Sequence, residues 1–186
     1  MNEQHFVLES QIREIYGRVI YTHKTHEKCV GILKDRNNIL KYFEIVLSAA
    51  TTTTLFLVLL GDGKIAQFVA ALFSTILLGL TLYSKDFNLL AIAEQHKQAA
   101  LDILEMREQL LSLIVDIHIG NMEISELQEK RNNISRKLIT IYSGSPQTIN
   151  KAYKLAQVAL QNNEEFTFTD REIDLFLPEN LRRVVS

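Results

Sequence analysis

Three histidines occupy positions from which they can approach one another. His23 and His26 are three residues apart, so a helix would place both on one face, while His96 follows much later in the chain. Imidazoles gathered at one depth bind metal ions or respond to pH. No carboxylate or cysteine completes an obvious ligand set, although Cys29 is near, and hydrogen-bonded packing histidines explain the same pattern. We therefore predict neither a metal site nor a cofactor, and the role of the three histidines stays open.

A second candidate is a group of positive charges in the C-terminal third of the chain. Its members are Lys130, Arg131, Arg136 and Lys137. A local basic surface can hold the phosphates of a nucleotide or oligonucleotide, or it can contact anionic lipid. A solvated helix face accounts for the same residues without a ligand, and no aromatic platform for bases accompanies them. From these residues alone the solvated helix face is the favoured interpretation, and nucleotide binding and lipid contact stay open.

No motif for catalysis is present. The chain has no glycine-rich phosphate loop, no His-Glu helix motif for zinc and no Gly-x-Ser-x-Gly elbow. We therefore expect no catalytic residues and no enzyme activity. A hydrophobic share of 47%, a formal net charge of −2 and a single cysteine exclude a disordered chain, a strongly basic nucleic-acid coat and a disulfide scaffold.

The apolar residues are concentrated in two uncharged runs. Ile45 to Gly61 contains 17 residues and Ile65 to Ser84 contains 20. As helices they would be roughly 26 and 30 Å long, against a hydrocarbon core of about 30 Å. A buried helix of a soluble bundle normally keeps a polar face, which the second run lacks. The sequence predicts an all-α membrane protein with spans at about 43–61 and 65–84.

The link between the two runs, Gly61 to Lys64, is short enough for a tight helical hairpin. Both ends of the chain would then lie on one side of the membrane. The turn offers only Lys64. The basic residues near the other ends of the spans are Lys34, Arg36, Lys41, Lys85 and Lys97. Because positive charge marks the cytoplasmic face, we predict that both termini lie in the cytoplasm.

Amphipathic helices should continue both spans into a cytoplasmic stem. The upstream apolar face consists of Leu8, Ile12, Ile15, Tyr16, Val19 and Ile20. The downstream heptad seam consists of Ile92, His96, Ala99, Ile103, Met106, Leu110, Leu113 and Ile117. Such seams pack against each other as antiparallel helices. With the turn centred near residue 62 or 63, level residues should have numbers that sum to about 126, which places His26 one turn from His96.

The predicted division is a hairpin with its stem over 1–119 and a helical region over 120–186. Gly120-Asn121 should end the second stem helix. A helix is expected from Ile124 to Tyr142. Ser145 is a good N-cap with Pro146 at the first helical position, so another helix should run from there to about Gln161.

The first span is unusually rich in hydroxyl groups. We predict that it lines a pore whose inner end is polar and whose outer end is leucine, so that leucine rings gate it by dewetting. The predicted lining residues are Ser48, Thr51, Thr52, Leu55 and Leu59. Hydrogen bonding between helices, without a pore, explains the hydroxyls equally well.

Small residues recur every fourth position in the second span and predict close helix packing. They form two ridges, Ala66, Ala70 and Ser74 on one and Ala71, Thr75 and Gly79 on the other. Since a single hairpin encloses no channel, a pore needs several copies. We predict a homo-oligomer, a tetramer or larger.

The layout resembles a known family, the SLATT proteins. These are two-transmembrane effector domains associated with SMODS nucleotidyltransferases and SLOG sensors in prokaryotic conflict systems. The resemblance covers roughly residues 10 to 120. It rests on the tight hairpin together with Tyr21 to His26, Ala93 to Ala100, the pair Arg107-Glu108 and the stretch Leu110 to Asp116.

The resemblance implies an antiviral function. Members of this family are thought to be pore-forming membrane effectors that respond to a nucleotide-derived signal, so that the infected cell loses its membrane integrity. We expect a bacterial inner-membrane protein without a fused sensor domain, in which the region after Gly120 would receive the signal from a nucleotidyltransferase partner. The alternative is a membrane-anchored helical scaffold that recruits a partner and conducts nothing.

Overall fold

The part of the chain that the structure describes folds into six helices. The computed structural model describes residues 3–61, 63–120, 122–178 and 182–183, and no strand occurs in this part of the chain. The helices are α1 Glu3–Leu59, α2 Lys64–Asp86, α3 Leu89–Ile119, α4 Ile124–Gly144, α5 Asn150–Gln161 and α6 Asp170–Phe176. Asp62 in the predicted hairpin turn and Asn121 after the predicted helix end lie outside the described residues.

The first leg of the hairpin is one unbroken helix. α1 runs for 57 residues and unites the predicted stem with the predicted first span. It closes with the Leu60 N–H on the carbonyls of Phe56 and Leu57, at 3.2 and 3.1 Å. Gly61 then adopts φ 97°, a left-handed conformation that glycine takes without a Cβ clash. The chain reverses there, and α2 begins three residues later at Lys64.

The second leg is broken, which corrects the expectation that one helix continues the second span into the stem. α2 ends at Asp86 and α3 starts at Leu89. The side chain of Asn88 accepts a hydrogen bond from the Ala91 N–H at 3.1 Å, so it caps a new helix. Asparagine favours helix starts because its side chain replaces the missing backbone acceptor.

An apolar seam between α1 and α3 forms the core of the stem, and α4 covers it. Every predicted seam position of α3 from His96 to Ile117 is buried, and Ile92 is half-buried. The buried cluster comprises Leu8, Ile12, Ile15 and Val19 of α1, Ile103, Met106, Leu110, Leu113 and Ile117 of α3, and Leu127, Ile134 and Leu138 of α4. Burial of apolar area at this seam stabilises the antiparallel pair.

Two contacts between the legs test the predicted register. The Ser84 hydroxyl donates to the Glu44 carboxylate at 2.8 Å, and these numbers sum to 128. His26 meets His96 at 2.9 Å, and these sum to 122. Both sums lie within about one helical turn of 126. The hairpin register is therefore close to the one expected from its turn.

The two apolar helices pack on each other but expose most of their surface. A narrow seam along α1, with Thr51 as its most buried member, faces Ala66 and Ala70 at the start of α2. Only 6% of the most apolar 18-residue stretch of either leg is buried. A core helix of a soluble protein would be buried over most of its length. This exposed apolar surface must be covered by lipid or by other chains.

The helix after Pro146 starts later than predicted. α5 begins at Asn150, not beside Pro146. The Ser145 hydroxyl turns back to the Ile141 carbonyl at 2.7 Å, so it closes α4 and does not cap α5. α5 then packs on α1 through Ala152, Ala156 and Ala159, which are all buried. The predicted end at Gln161 and the left-handed Gly120 at the end of α3 are confirmed.

Two adjacent leucines test the stem seam. Leu110 is fully buried, whereas Leu111 is 41% exposed. Leu110→Ala should lower the free energy of unfolding by about 2–5 kcal/mol, because it leaves a cavity in the seam. Leu111→Ala should change it by less than about 0.5 kcal/mol. Unfolding followed by circular dichroism in detergent measures both, and equal effects would contradict the packing described above.

Candidate functional site

A shallow groove that holds a few polar groups in a mostly apolar lining runs along one side of the hairpin, and we call it the polar groove. Its volume is about 930 Å³ and it lies open to the surroundings. Its polar lining comes mostly from α1, with Thr81 contributed by α2. The lining residues are Glu44, Ile45, Ser48, Ala49, Thr52, Thr53, Phe56, Leu77 and Thr81.

The hydroxyls of the four consecutive threonines of α1 all bond back to their own helix. Thr51 donates to the Leu47 carbonyl at 2.8 Å and Thr52 to the Ser48 carbonyl at 3.0 Å. Thr53 and Thr54 make the same bond one turn back, to the carbonyls of Ala49 and Ala50. These bonds satisfy each donor, so the hydroxyls are tolerated in an apolar helix. The oxygen of Thr52 keeps acceptor capacity on the groove side.

The structure brings together some of the predicted pore-lining residues and separates one. Ser48 and Thr52 lie in the groove, and Leu55 and Leu59 are exposed farther along α1 towards the turn. Thr51 is buried against α2 instead. One residue advances a helix by about 100°, which turns Thr51 towards α2 and Thr52 into the groove. Glu44 and Thr81 are groove residues that the apolar pattern did not single out.

The small residues of α2 divide between two environments. Ala66 and Ala70 turn towards α1, which accounts for the close approach of the two legs. Ala71, Thr75 and Gly79 form a ridge that is exposed, and Ser74 is also exposed. The exposed ridge has no partner within the described chain.

The predicted basic cluster does not form a single surface. Three of its members line an open groove of about 980 Å³ between α3 and α4, where three carboxylates face them. The charged residues of this α3–α4 groove are Lys130, Arg136, Lys137, Glu105, Glu108 and Asp116. Lys130 lies 3.7 Å from the Asp116 carboxylate. Arg131 points to the other side of α4 and hydrogen-bonds Gln11 of α1.

Two of the three histidines form a buried pair. Nδ1 of His26 and Nδ1 of His96 are 2.9 Å apart, so one imidazole donates and the other accepts. His23 lies apart from this pair, with its ring stacked on Phe166. No group of three or more His, Cys, Asp or Glu side chains is arranged for a metal ion within the described ranges. The pair forms a polar layer in an otherwise apolar seam.

Burial keeps these imidazoles neutral. Desolvation, followed by the neighbouring His96 and His23 rings, lowers the pKa of His26 to about 4. Desolvation also lowers the pKa of His96. The pKa of His23 is lowered by desolvation, which outweighs the opposing charge of Glu27. Neutral rings allow the His26–His96 hydrogen bond, because two imidazolium groups would both be donors.

The described chain is thus an all-helical protein built on a hairpin of two long, exposed apolar helices. The sequence matches the model of SMODS and SLOG-associating 2TM effector domain family 4 over residues 8–172. That match covers most of the chain, and the chain belongs to this family. No curated protein and no solved structure matches it.

Family membership confirms the resemblance to the SLATT proteins. Together with the two apolar helices, it indicates a membrane location and a membrane-effector role in antiviral defence. It also links the chain to partners of the SMODS and SLOG type, a nucleotidyltransferase-type signalling system.

The histidine pair makes stem stability depend on pH. The folded pKa values lie below the unfolded value of about 6.5, so the unfolded chain binds more protons between about pH 6.5 and pH 4. Stability should therefore fall as the pH drops through this window. Replacing both rings, by His26→Leu with His96→Leu, should reduce the loss of melting temperature between about pH 7.5 and pH 5.

The control for this prediction is His118→Gln, since the side chain of His118 is mostly exposed. It should keep the pH dependence of the parent chain. Melting curves in detergent at the two pH values decide the point. A double variant that retains the full acid destabilisation would show that the buried pair is not its source.

Proposed function

We propose that this protein is a subunit of a homo-oligomeric pore in the bacterial inner membrane, with both termini in the cytoplasm. A nucleotide-derived signal opens or closes the pore, and ion flow through it disrupts the membrane of an infected cell. The polar groove on the hairpin carries the proposal. Family membership supports its setting in antiviral defence.

Groove chemistry favours a water-filled path over contact with lipid. Ser48, Thr52, Thr53 and Thr81 present hydroxyl oxygens on the outside of two apolar helices, and Glu44 lies at the stem end of the same groove. The hydroxyl donors of Thr52 and Thr53 are satisfied within their helix, so the carboxylate is the stronger sign, because a carboxylate inside a membrane normally faces a bundle interior or a water-filled cavity. In a ring of hairpins, inward-facing grooves would supply such a cavity.

Other exposed residues of the hairpin fit the same arrangement. Leu55 and Leu59 lie beyond the hydroxyls towards the turn, where a ring of leucines would close the path by dewetting. The small ridge of Ala71, Thr75 and Gly79 lies on the opposite side of α2 from Leu77, which lines the groove. Small residues let a neighbouring hairpin approach closely. A ring could thus pack through this ridge and keep its grooves inside.

Adjacent threonines test the pore. Thr52 lies in the groove and Thr51 is buried against α2. Thr52→Val removes a hydroxyl at nearly constant shape and should lower ion flux about tenfold, as a barrier rise of about 1.4 kcal/mol would do. Flux is measured with purified protein in vesicles loaded with an ion-sensitive dye.

Thr51→Val is the matched control, because it loses the same hydroxyl on the face away from the groove. It should leave flux and assembly close to those of the parent. If the protein is a non-conducting scaffold, neither the parent nor the two variants will give ion flux. Equal flux from the parent and both variants would show that the groove does not line the permeation path.

The signal would enter through the cytoplasmic helices, and the α3–α4 groove is one place for it. A phosphate there would have to displace carboxylates that already face Lys130, Arg136 and Lys137. Arg136→Glu with Lys137→Glu should weaken nucleotide binding at least about tenfold, since charge-assisted contacts to phosphate are lost. A panel of cyclic and linear mono-, di- and trinucleotides supplies the probes.

Two lysines of α5 give the control for this charge reversal. Lys151 and Lys154 are exposed on another helix, so Lys151→Glu with Lys154→Glu makes the same change in net charge. This variant should bind nucleotides as the parent does. If both double variants lose binding equally, the effect belongs to overall charge and not to the α3–α4 groove.

A further inference from the structure

The loop between α5 and α6 folds back onto the stem and inserts an aromatic ring. The ring of Phe166 stacks on His23, with centroids 5.4 Å apart and planes inclined by 18°. The ammonium group of Lys24 lies 4.4 Å from the ring centroid, and the guanidinium of Arg107 lies 4.7 Å from it. One aromatic ring therefore contacts an imidazole and two cations, which come from both α1 and α3.

The residue before this ring places a carboxylate on two lysines. Glu165 pairs with Lys24 and also with Lys28, whose Nζ is 3.2 Å from Oε1. The hydrogen bond from Lys24 lowers the pKa of the Glu165 carboxyl, so this group is ionised at neutral pH. Glu165 and Phe166 thus present an anion and a planar ring side by side.

The inserted segment is held in a strained backbone conformation. Glu164 has φ 51° and Phe166 has φ 88°, both in the left-handed region that favours glycine. Residues other than glycine keep such angles when surrounding contacts force them. The contacts of Glu165 and Phe166 provide that force, and displacement of the segment would release the strain.

The surface beneath the segment has the composition of a ligand site. We call His23, Lys24, Lys28 and Arg107 the stem site. Two carboxylates also border it, since Glu27 pairs with Lys24 at 2.8 Å and Glu108 pairs with Arg107 at 2.6 Å. The three cations of the stem site and these two carboxylates give a net charge of +1 when Glu165 has left the site.

His23 gives an independent sign of a ligand. The residue is only 4% exposed, and its Nδ1 has no hydrogen-bond partner. Buried polar atoms are nearly always paired, so an unpaired one calls for a partner. The face of the imidazole lies against the inserted ring, so a base in place of Phe166 would stack on it, and Nδ1, which lies in the imidazole plane, would be reached by another part of the same ligand.

We propose that the stem site binds a nucleotide and that Glu165 and Phe166 occupy it as an internal mimic. The carboxylate takes the place of a phosphate on Lys24 and Lys28, and the phenyl ring takes the place of the base. Phe166 is 38% exposed, so the site opens outward on the side where a ribose would lie. This rests on the proposed function, in which a nucleotide-derived signal controls the pore.

Exchange of mimic for ligand would alter the contact between α1 and α3. The nucleotide would bridge the same two helices, and the loop that carries Glu165 and Phe166 would leave the stem. The apparent affinity is reduced by the fraction of time for which the mimic is bound. Removing the mimic should therefore strengthen binding without any new contact to the ligand.

The test uses the full-length protein in detergent and AMP as the probe. Glu165→Ser with Phe166→Ser should lower the Kd for AMP at least about tenfold, a factor worth about 1.4 kcal/mol. Adding Lys28→Gln and Arg107→Gln to this variant should reverse the gain. The matched control is Glu164→Ser with Phe168→Ser, neighbours of the same two types; Phe168 is 66% exposed, and neither side chain contacts the stem site. The control should bind AMP as the parent does.

Unchanged or undetectable AMP binding by the Glu165/Phe166 variant overturns the proposal. Ribose 5-phosphate, which has no base, should bind at least about tenfold more weakly than AMP, and equal binding would also overturn it. If the double variant loses its helical circular dichroism, Glu165→Gln alone should still show a smaller gain, and no gain would count against the site.

The vesicle assay separates this proposal from the proposed function. If the variant binds AMP more tightly but no protein gives ion flux, the proposed pore is wrong and the stem-site proposal stands. If nucleotides control ion flux in the parent but AMP binds parent and variant equally well, the stem-site proposal is wrong and the proposed pore stands.

Discussion

The structure depends on one continuous helix whose two halves have different surroundings. α1 runs from Glu3 to Leu59, about 85 Å at 1.5 Å per residue, and it contacts α2, α3, α4 and α5. Its stem half buries an aliphatic face, and its far half exposes aliphatic side chains on nearly every face. A helix can make this change without a break because its backbone hydrogen bonds are internal in either solvent. α2, α3 and α5 take their positions from contact with this helix, and α4 packs mainly on α3.

The buried side chains of the α1 seam change from aliphatic to polar along the helix. This change separates the part that supplies stability from the part that fixes the register. Near the N-terminus its hydrophobic cluster is aliphatic, from Leu8 to Val19, and Glu9 is buried beside it. The seam then passes through the imidazole layer of His26 and His96 before it reaches Glu44 and Ser84. The aliphatic part supplies stability. The polar layers tie each leg to specific partners, which an aliphatic seam specifies only weakly, and so they fix the register of the hairpin.

Much of this architecture follows from local sequence rules. Unbroken apolar runs, two glycines in a four-residue link and a heptad seam predicted the hairpin, its stem and the buried positions of α3. The break at Asn88 was missed because a single asparagine in a polar stretch occurs both at helix caps and inside helices, so its presence does not predict a new helix start. The late start of α5 was missed because Ser145 bonded the preceding helix and not the following one.

The site was less predictable than the fold. Thr51 and Thr52 are chemically identical, and only their rotation about the helix axis separates the seam from the groove. The contact of Phe166 with His23 joins positions more than 140 residues apart, which no spacing rule can detect. Its only sign in the sequence is an acidic residue followed by an aromatic one, Glu165-Phe166, in a short loop.

The unequal legs of the hairpin limit how a change in the stem can reach the membrane half. α1 is continuous, so a tilt of its stem end moves its far end as one body. α2 and α3 are separate helices joined at Phe87 and Asn88, where backbone dihedrals can change without breaking an interior helical bond. A change in the α1–α3 contact near His23 and Arg107 is therefore best accommodated by bending of the second leg at this joint. Such bending would move Leu77 and Thr81 relative to Ser48 and Thr52, which lie on the two walls of the hairpin groove. Through this joint, a change in the stem would alter the width of the groove without changing the length or the register of the helices.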